Sequence, residues 1–264
     1  MASGGRESGD MVKYGLIGRR LGHSFSARYF NEKFAREGVD ARYDLYEIES
    51  IGALSVLIDR EPELRGLNVT IPYKQEIIST PGLDFLSEAA REIGAVNTVK
   101  IVRDNNGIRL EGHNTDAIGF GDSLGNIMAN RPEITKALIL GAGGGAAKAV
   151  EYVLRNRFGM EVTGVSRHAK DRRLSYSDLT PEIVKEHHLI VNCTPLGMWP
   201  DTDKCPEIPY QGVTEHHIGF DLVYNPEETL FMKRMTEHGA ICCNGLEMLH
   251  GQAEASWKIW KESI

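Results

Sequence analysis

Residues 138–149 read LILGAGGGAAKA, an apolar run that leads into a cluster of glycines and then into small residues. Gly141, Gly143 and Ala146 stand in the G-x-G-x-x-A spacing, in which glycines let a phosphate group approach the backbone. The apolar run predicts a strand and the following residues predict a helix, whose first N–H groups and positive dipole end favour a pyrophosphate. The stretch therefore predicts a dinucleotide site, and the alternative is an ordinary strand-to-helix turn.

The next predicted strand is MEVTGVSR at residues 160–167. The residues at its end should determine which of the two nicotinamide cofactors binds. Proteins that bind NAD place an Asp or Glu at this point, where it holds the ribose 2′-OH. Here the chain has Ser166, Arg167 and His168, and a guanidinium attracts a 2′-phosphate but gains nothing from a bare hydroxyl. The sequence favours NADP over NAD, and the alternative is an arginine that is merely solvated at the surface.

Three further apolar runs follow the glycine-rich stretch: HHLIVNCTP at 187–195, HHIGFDLVY at 216–224 and GAICCNG at 239–245. Each predicts a strand, and helical segments lie between some of them. Strands that alternate with helices build parallel sheets with helices on their faces. This half of the chain predicts a doubly wound, Rossmann-like dinucleotide-binding domain.

The first half of the chain shows its own alternation of strands and helices. The predicted strands are KYGLIG (13–18), ARYDLYEIE (41–49) and LRGLNVTI (64–71), and the predicted helices are SARYFNEKFAREG (26–38) and SIGALSVLIDR (50–60). This β-α-β-α-β order favours a mostly parallel sheet with helical crossovers. The chain as a whole is predicted to be an α/β protein.

We predict two domains, the first of them discontinuous in sequence. It comprises residues 11–113 and returns with a C-terminal amphipathic helix at 246–264, whose Trp257 and Trp260 should pack against it. The Rossmann-like domain comprises residues 114–245.

Composition argues against several classes of function. The formal charge of −7 over 264 residues, without a long basic run, argues against nucleic-acid binding. No apolar stretch approaches the ~18 residues that a membrane span needs, so no membrane partner is expected. The four cysteines form no C-x-x-C or other ligand-like pattern, which argues against a zinc site and favours a reduced, cytoplasmic protein. Residues 1–10, MASGGRESGD, predict a disordered tail or an expression remnant.

A bound dinucleotide implies hydride transfer, and hydride transfer between an alcohol and a ketone also moves a proton on the oxygen. The stretch LNVTIPYK at 67–74 places Lys74 just beyond a predicted strand, near Asn68 and Thr70. Asp116 follows GHNT at the predicted start of a helix, and its carboxylate could fix the position of the Lys74 ammonium group. Each residue alone has an ordinary explanation: a solvated lysine, and an aspartate favoured by the helix dipole.

Eight stretches occur in an order and spacing typical of one family. They are GHSFSARYFN, LNVTIPYK, GAVNTV, GHNTDAIGF, GAGGGAAKA, NCTPLGM, DLVYNPEET and GLEMLHGQA. They cover nearly the whole chain from residue 13, and through them the chain resembles the shikimate dehydrogenase family. The resemblance implies an N-terminal α/β domain that binds shikimate, a Rossmann-like domain that binds NADP, and a cleft between them. It also implies the reversible reduction of 3-dehydroshikimate to shikimate, a step towards chorismate and the aromatic amino acids.

The resemblance also assigns residues to the substrate. It implies that Lys74 gives or takes the proton and that Asp116 pairs with it. The residues that would bind the substrate are Ser24 and Ser26, for the carboxylate, together with Thr70, Asn97, Asp116, Tyr224 and Gln252. The chain departs from the family at Ala27, where proline is usual after the second serine.

On the cofactor side, the resemblance assigns three groups of residues and no metal. The glycine-rich loop would hold the pyrophosphate through Gly141, Ala142, Gly143, Gly144, Gly145 and Ala146. Ser166 and Arg167 would hold the 2′-phosphate. Thr194, Leu222 and Gly245 complete the cofactor site, the last two near the nicotinamide.

Three alternatives remain open at this stage. The first is an NAD-dependent quinate/shikimate dehydrogenase, which differs by one ring hydroxyl and one phosphate. The second is a methylene-tetrahydrofolate dehydrogenase, against which the Ser-x-Ser loop favours a small carboxylated ring. The third is a non-catalytic sensor of shikimate-like ligands, which would need neither Lys74 nor Asp116. The sequence leaves the choice between monomer and homodimer open.

Overall fold

The computed structural model describes residues 11–262 except residues 23, 106, 130, 132 and 169–172. The tail predicted for residues 1–10 lies outside the described residues. The chain divides into two compact units. Unit 1 combines the residues up to Asn114 with those from Ser256 onward, and unit 2 is Thr115–Ala255. The boundary between the units therefore falls inside the last helix.

Unit 1 is built on one sheet, with six strands among the described residues, in the order β2-β1-β3-β5-β6-β4. The strands are β1 Val12–Gly18, β2 Ala41–Glu47, β3 Leu64–Val69, β4 Leu83–Leu86, β5 Thr98–Asp104 and β6 Gly107–His113. The pairs β1–β2, β1–β3 and β4–β6 are parallel, whereas β3–β5 and β5–β6 are antiparallel. The strands predicted at 13–18, 41–49 and 64–71 correspond to β1, β2 and β3. The half-exposed strand β4 was not predicted.

The helices of unit 1 begin with α1 at Phe25–Glu37, which ends at Gly38 in a left-handed conformation (φ 65°) that glycine adopts without strain. The others are α2 Leu54–Arg60, α3 Tyr73–Glu76 and α4 Glu88–Ile93, with 3₁₀ turns at Ile51–Ala53 and Ile77–Ser79. One face of the sheet buries a core that includes Ile17, Leu67, Val69 and Val99.

The end of the last helix, α9 at Leu246–Lys261, completes an aromatic cluster in unit 1. The ring of Trp260 stacks on Tyr14 with centroids 4.9 Å apart, and Trp257 meets the same tyrosine edge-on at 5.5 Å. The indole N–H of Trp260 donates to the carbonyl of Val99 at 3.0 Å. Gly66 leaves room for this indole on strand β3, because a Cβ there would overlap it.

Unit 2 is a parallel sheet, with six strands in the described residues, in the order β12-β11-β10-β7-β8-β9. The strands are β7 Lys136–Leu140, β8 Glu161–Ser166, β9 Leu174–Ser175, β10 Leu189–Asn192, β11 Ile218–Asp221 and β12 Ile241–Cys243. Counted from β7, this is the doubly wound order 3-2-1-4-5-6 of dinucleotide-binding folds, as the sequence predicts. The two-residue strand β9 is too short to leave a pattern and was missed.

Five helices lie wholly or largely in unit 2, among the residues described. They are α5 Thr115–Met128, α6 Gly145–Asn156, α7 Pro181–Glu186, α8 Leu230–Glu237 and the first part of α9, with 3₁₀ turns at Tyr176–Asp178 and Tyr210–Gly212. A core that includes Leu138, Ile190 and Phe231 fills one face of the sheet. Across the described parts of the chain, none of the helices is both long and apolar enough to cross a membrane.

Candidate functional site

One edge of the sheet in unit 1 collects most of the polar residues predicted to bind substrate. Strands β1 and β3 run parallel, with Ile17 opposite Val69. The residues that follow these two strands therefore lie at the same end of the sheet, which is the edge meant here. Strand β5 runs antiparallel to β3, with Thr98 opposite Asn68, so the residue that precedes β5 lies at this edge too. Thr70 follows β3 and the buried Asn97 precedes β5, so a residue with a hydroxyl and a residue with an amide lie close together at this edge.

Lys74 is held at this same edge by the backbone. It belongs to the short helix α3, and its carbonyl accepts a hydrogen bond from the Val96 N–H at 2.7 Å. The neighbouring Tyr73 is buried and donates its hydroxyl to the carbonyl of Ile48 at 2.6 Å, which anchors the helix to the core. Asn97 in turn accepts from Val69 N–H through its carbonyl at 2.8 Å. The backbone of Lys74 is thus hydrogen-bonded to Val96, the residue that directly precedes Asn97.

The two serines after β1 occupy the start of helix α1. Ser24 is the N-cap residue, but its side chain makes no capping hydrogen bond to the helix. The Ser26 side chain hydrogen-bonds the phenol of Tyr43, which donates to Oδ1 of Asn68 at 2.8 Å. Burial raises the pKa of Tyr43 well above its usual value, so the phenol stays neutral and keeps its proton for that bond.

Asn68 connects several polar side chains at this edge through hydrogen bonds, and it was not among the residues predicted to bind substrate. It is buried, and its amide donates to Thr98 at 3.1 Å and to Ser256 at 2.9 Å. Thr98 donates to the side-chain oxygen of Asn97 at 3.2 Å. A polar residue inside an otherwise apolar strand was the signal that could have identified it, since buried amides require partners.

In unit 2, two glycines of the glycine-rich loop adopt a backbone conformation that other residues rarely take. Gly141 and Gly143 have φ values of 82° and 106°, in the left-handed region that favours glycine. The N–H groups of Gly141 and Ala142 both donate to the carbonyl of Val165 at 2.9 Å, which ties the loop to the end of β8. Helix α6 begins at Gly145, within the glycine-rich stretch, so the N–H groups of its first turn lie at this point.

The surface around this loop carries groups that bind phosphate. A Cβ at Gly141 would come within 2.7 Å of the Thr194 methyl, and one at Gly143 within 2.7 Å of Nη1 of Arg173. The bare backbone is therefore flanked by a helix N-terminus and by a guanidinium, which are groups that bind phosphate. Thr194 was predicted for this site, whereas Arg173 was not, because only the chain's return after β8 brings it to the loop.

Arg167 lines a cavity of about 440 Å³ on unit 2. No acidic residue occurs among Ser166, Arg167 and His168, and the Ser166 hydroxyl donates to the His168 carbonyl at 2.6 Å. The cavity carries three cationic and two acidic side chains, together with apolar ones. Its lining is Arg167, Tyr176, Leu196, Asp203, Lys204, Cys205, Pro206, Glu207, Leu230 and Arg234.

A buried hydrogen-bond network joins the ends of strands β10 and β11. The carboxylate of Asp221 accepts from Asn192 Nδ2 at 2.9 Å, from Val223 N–H at 3.0 Å and from the Thr229 hydroxyl at 2.6 Å. Asn192 Oδ1 accepts from both the N–H and the hydroxyl of Thr194, at 3.0 and 2.7 Å. Burial raises the pKa of Asp221 to about 6, and the hydrogen bonds that it accepts limit the rise.

The remaining predicted residues of unit 2 lie on segments next to this network. Gly245 N–H donates to the Val223 carbonyl at 3.2 Å, and a Cβ at Gly245 would overlap the carbonyl of Leu222. Tyr224 is partly exposed directly after these residues. Thr194, Leu222 and Gly245 are thereby gathered at the carboxyl ends of adjacent strands. Sequence reasoning missed Asn192 and Asp221, although a polar residue at the end of each apolar strand was visible.

Asp116 and Gln252 also belong to unit 2. Asp116 is buried in the first turn of α5, where the helix dipole favours a carboxylate. Gln252 lies on α9, whose backbone packs against Gly119 of α5. Among the residues that the structure describes, no group of three His, Cys, Asp or Glu side chains is placed to hold a metal ion.

A doubly wound parallel sheet with a G-x-G-x-x-A loop at its first strand defines a dinucleotide-binding unit, the class of protein found among nicotinamide-dependent oxidoreductases. The family model described as "Shikimate dehydrogenase substrate binding domain" matches residues 16–99, inside unit 1. A shikimate dehydrogenase (NADP(+)) of Clostridium beijerinckii is 36% identical over 96% of this chain and 93% of its own.

Solved structures agree with these sequence matches. A chorismate mutase/shikimate 5-dehydrogenase fusion protein from Clostridium acetobutylicum has a TM-score of 0.81 and 37% identity, covering 96% of this chain and 92% of its own. Shikimate 5-dehydrogenase from Thermus thermophilus, solved in complex with NADP(H) and shikimate, has a TM-score of 0.80 and 30% identity, covering 95% and 94%. The chain belongs to the shikimate dehydrogenase family.

Proposed function

We propose that the protein catalyses the reversible, NADP-dependent reduction of 3-dehydroshikimate to shikimate. The observation that carries the proposal is the polar edge of unit 1, where Thr70, Asn97 and Lys74 are held by one set of backbone hydrogen bonds. Its chemistry suits a small polyol ring, because hydroxyl, amide and ammonium groups can pair with ring oxygens. The family membership of the whole chain supports the same reaction.

Unit 1 is proposed to bind the substrate, in keeping with the substrate-binding family model that matches residues 16–99. Ser24 and Ser26 are proposed to bind the substrate carboxylate, for which Ser26 would turn its hydroxyl proton away from Tyr43, and Thr70 and Asn97 would hold ring oxygens. Lys74 would donate a proton to the carbonyl oxygen during reduction and remove it from the hydroxyl during oxidation. Asp116, Tyr224 and Gln252 of unit 2 are proposed as further substrate ligands, and the pairing of Asp116 with Lys74 stays a prediction.

Unit 2 is proposed to bind NADP through the loop from Gly141 to Ala146. When bound, the cofactor supplies the hydride for reduction and accepts it in the reverse direction. Ser166 and Arg167 would hold the 2′-phosphate, and the absence of an acidic residue next to Arg167 in the sequence supports NADP over NAD. Thr194, Leu222 and Gly245 would contact the cofactor from the neighbouring strand ends.

The test is the absorbance of reduced nicotinamide when the protein is mixed with each of two acids and each of two cofactors. Shikimate with NADP should give the largest kcat/KM, and quinate or NAD should lower it. A larger value with quinate and NAD would favour the quinate/shikimate dehydrogenase alternative. Tight binding of shikimate without any change in absorbance would instead support a sensor.

We also propose a monomer or homodimer in a reducing, cytoplasmic compartment. Cys193, Cys205, Cys242 and Cys243 are free thiols, and Cys205 is buried. Free thiols are typical of reducing compartments, where disulfides are rare. Light scattering would measure the oligomeric state.

A further inference from the structure

Helices α5 and α9 cross within unit 2 through two glycines. A Cβ at Gly119 of α5 would overlap the Met248 carbonyl and come within 2.8 Å of the Gln252 backbone nitrogen. A Cβ at Gly251 of α9 would lie 3.1 Å from the Cα of Gly119. No side chain separates the two backbones at this point, so the distance between the helices is the minimum that the backbones allow.

A second contact fixes the register of the two helices. The Glu247 carboxylate of α9 accepts from Asn126 Nδ2 at 2.6 Å and from the Ser123 hydroxyl at 3.4 Å. Ser123 and Asn126 follow Gly119 by one and two helical turns along α5. The glycine contact therefore sets the separation of the helices, and the Glu247 contacts oppose sliding or rotation of one along the other.

The crossing lies next to two residues that we propose as substrate ligands. Asp116 precedes Gly119 by three residues and therefore shares its face of α5. Gln252 directly follows Gly251, and its Cβ lies 3.2 Å from the position that a Cβ at Gly119 would take. Any side chain at Gly119 would push the segment with Gln252 away from the face of α5 that carries Asp116.

We infer that the Gly119–Gly251 crossing is a positioning device that sets the spacing between Asp116 and Gln252, and through it the affinity for the hydroxylated ring of the substrate. The inference rests on the proposed function and deepens it. The size of the effect follows from geometry, because misplacing a group by about 1 Å can cost on the order of a hundredfold in kcat/KM.

The chain offers a matched series of substitutions for the test. Gly119→Ala creates the backbone overlap, and Gly251→Ala creates only a tight contact. Gly125→Ala lies on the same helix α5, but its Cβ would meet Arg157 Nη2 at 3.5 Å, an ordinary contact. We expect Gly119→Ala to raise the KM for shikimate roughly tenfold or more, and Gly251→Ala about two- to threefold. Gly125→Ala should have the same KM for shikimate as the wild type. The KM for NADP should stay unchanged in all three variants.

A double-mutant cycle separates positioning from general damage to the fold. Partial unfolding lowers kcat per total protein but leaves the KM for shikimate unchanged in the folded fraction. In a Gln252→Ala background, Gly119→Ala should raise the KM less than about twofold further, because the group that it displaces is already missing. If Gly119→Ala does not fold, the milder Gly251→Ala carries the same comparison.

Several outcomes would overturn the inference. The first is a KM for shikimate in Gly119→Ala equal to that in Gly125→Ala. The second is an equal rise in the KM for NADP and the KM for shikimate. The third is an unchanged effect of Gly119→Ala on the KM for shikimate in the Gln252→Ala background. In each case the crossing does not act on the ring through Gln252. If the wild type does not react with shikimate at all, the proposed function fails and this inference fails with it, which the wild-type assay alone reveals.

Discussion

The carboxylate of Asp221 accepts a 2.9 Å hydrogen bond from the side-chain amide of Asn192, and both side chains are completely buried. The two residues end neighbouring parallel strands, β11 and β10. Through Asn192 the network reaches Thr194, and through the Val223 N–H it reaches the segment that includes Leu222. A single buried carboxylate therefore holds together the two strand ends that carry proposed cofactor ligands.

The buried carboxylate predicts a particular dependence of stability on pH. Because the pKa of Asp221 is about 6 in the folded protein and 3.8 ordinarily, the folded state binds this proton more tightly than the unfolded state does. Protonation of Asp221 therefore adds stability as the pH falls from about 6 towards about 4, a difference on the order of 3 kcal/mol. Asp221→Asn removes the titration, so the wild type should gain stability relative to the variant over this range. Urea unfolding of both proteins at several pH values measures the difference.

A control of opposite sign is available in the same unit. Hydrogen bonds from Ser175 lower the pKa of the exposed Asp178, so its contribution to stability is lost as the pH falls. As the pH falls, the Asp178→Asn variant should therefore gain stability relative to the wild type. A difference between wild type and Asp221→Asn that is constant from pH 7 to pH 4 would show that Asp221 does not bind a proton in this range.

Lys74 is predicted to be the group that transfers the proton. Lys74→Met keeps the unbranched apolar part of the side chain but removes the ammonium group. We expect kcat to fall by about 10²- to 10⁴-fold, the usual range for general acid–base catalysis. Because Lys74 lies in unit 1, the affinity for NADP should stay near that of the wild type. Steady-state rates and cofactor titration measure the two effects. Lys185→Met, which replaces an exposed lysine on α7, is the control, and normal turnover in Lys74→Met would rule out the assigned role.

Arg167 is predicted to select NADP. A hydrogen bond between charged groups contributes about 1.5–3 kcal/mol, so Arg167→Ala should raise the KM for NADP roughly ten- to a hundredfold and leave the KM for NAD nearly unchanged. Arg36→Ala, on the exposed surface of unit 1, serves as the control. Equal losses for both cofactors would place the guanidinium at a phosphate that NAD shares, and the assignment to the 2′-phosphate would then be wrong.

Gly141 is predicted to be irreplaceable for two reasons that act together. Its φ of 82° costs an alanine about 1–2 kcal/mol, and the new Cβ would meet the Thr194 methyl at 2.7 Å. Gly141→Ala should therefore unfold at a lower urea concentration and bind NADP more weakly. Gly125→Ala, in a regular helix with room for a methyl group, should be stabilised by up to about 1 kcal/mol. Unchanged NADP affinity in Gly141→Ala, measured by fluorescence titration, would exclude this loop from the cofactor site.

Local sequence patterns predicted most of the strands and helices but missed short elements that lack an apolar run. Strands β1, β3, β7, β8, β10, β11 and β12 are apolar runs bounded by glycine or polar residues, and such runs depend on few distant contacts. β10, β11 and β12 contain only four, four and three residues, yet their mostly apolar sequences predict strands. β4, β9 and α3 contain four, two and four residues, and they carry no continuous apolar run. Their conformations are set by the neighbouring chain, as when the Lys74 carbonyl pairs with Val96 N–H.

The sequence by itself determined the class of fold and the chemical groups available, because glycine spacing and hydropathic period act over a few residues. The G-x-G-x-x-A spacing predicted a turn between a strand and a helix, and the loop lies between β7 and α6. Only the tertiary structure decided which distant groups meet. Asn192 donates to Asp221, Arg173 lies beside the glycine-rich loop and Gly119 packs against Gly251. Each contact joins residues tens of positions apart, so it depends on the order of the strands and the crossing of the helices. Those contacts come from the packing of whole elements, and no local pattern in the chain carries that information.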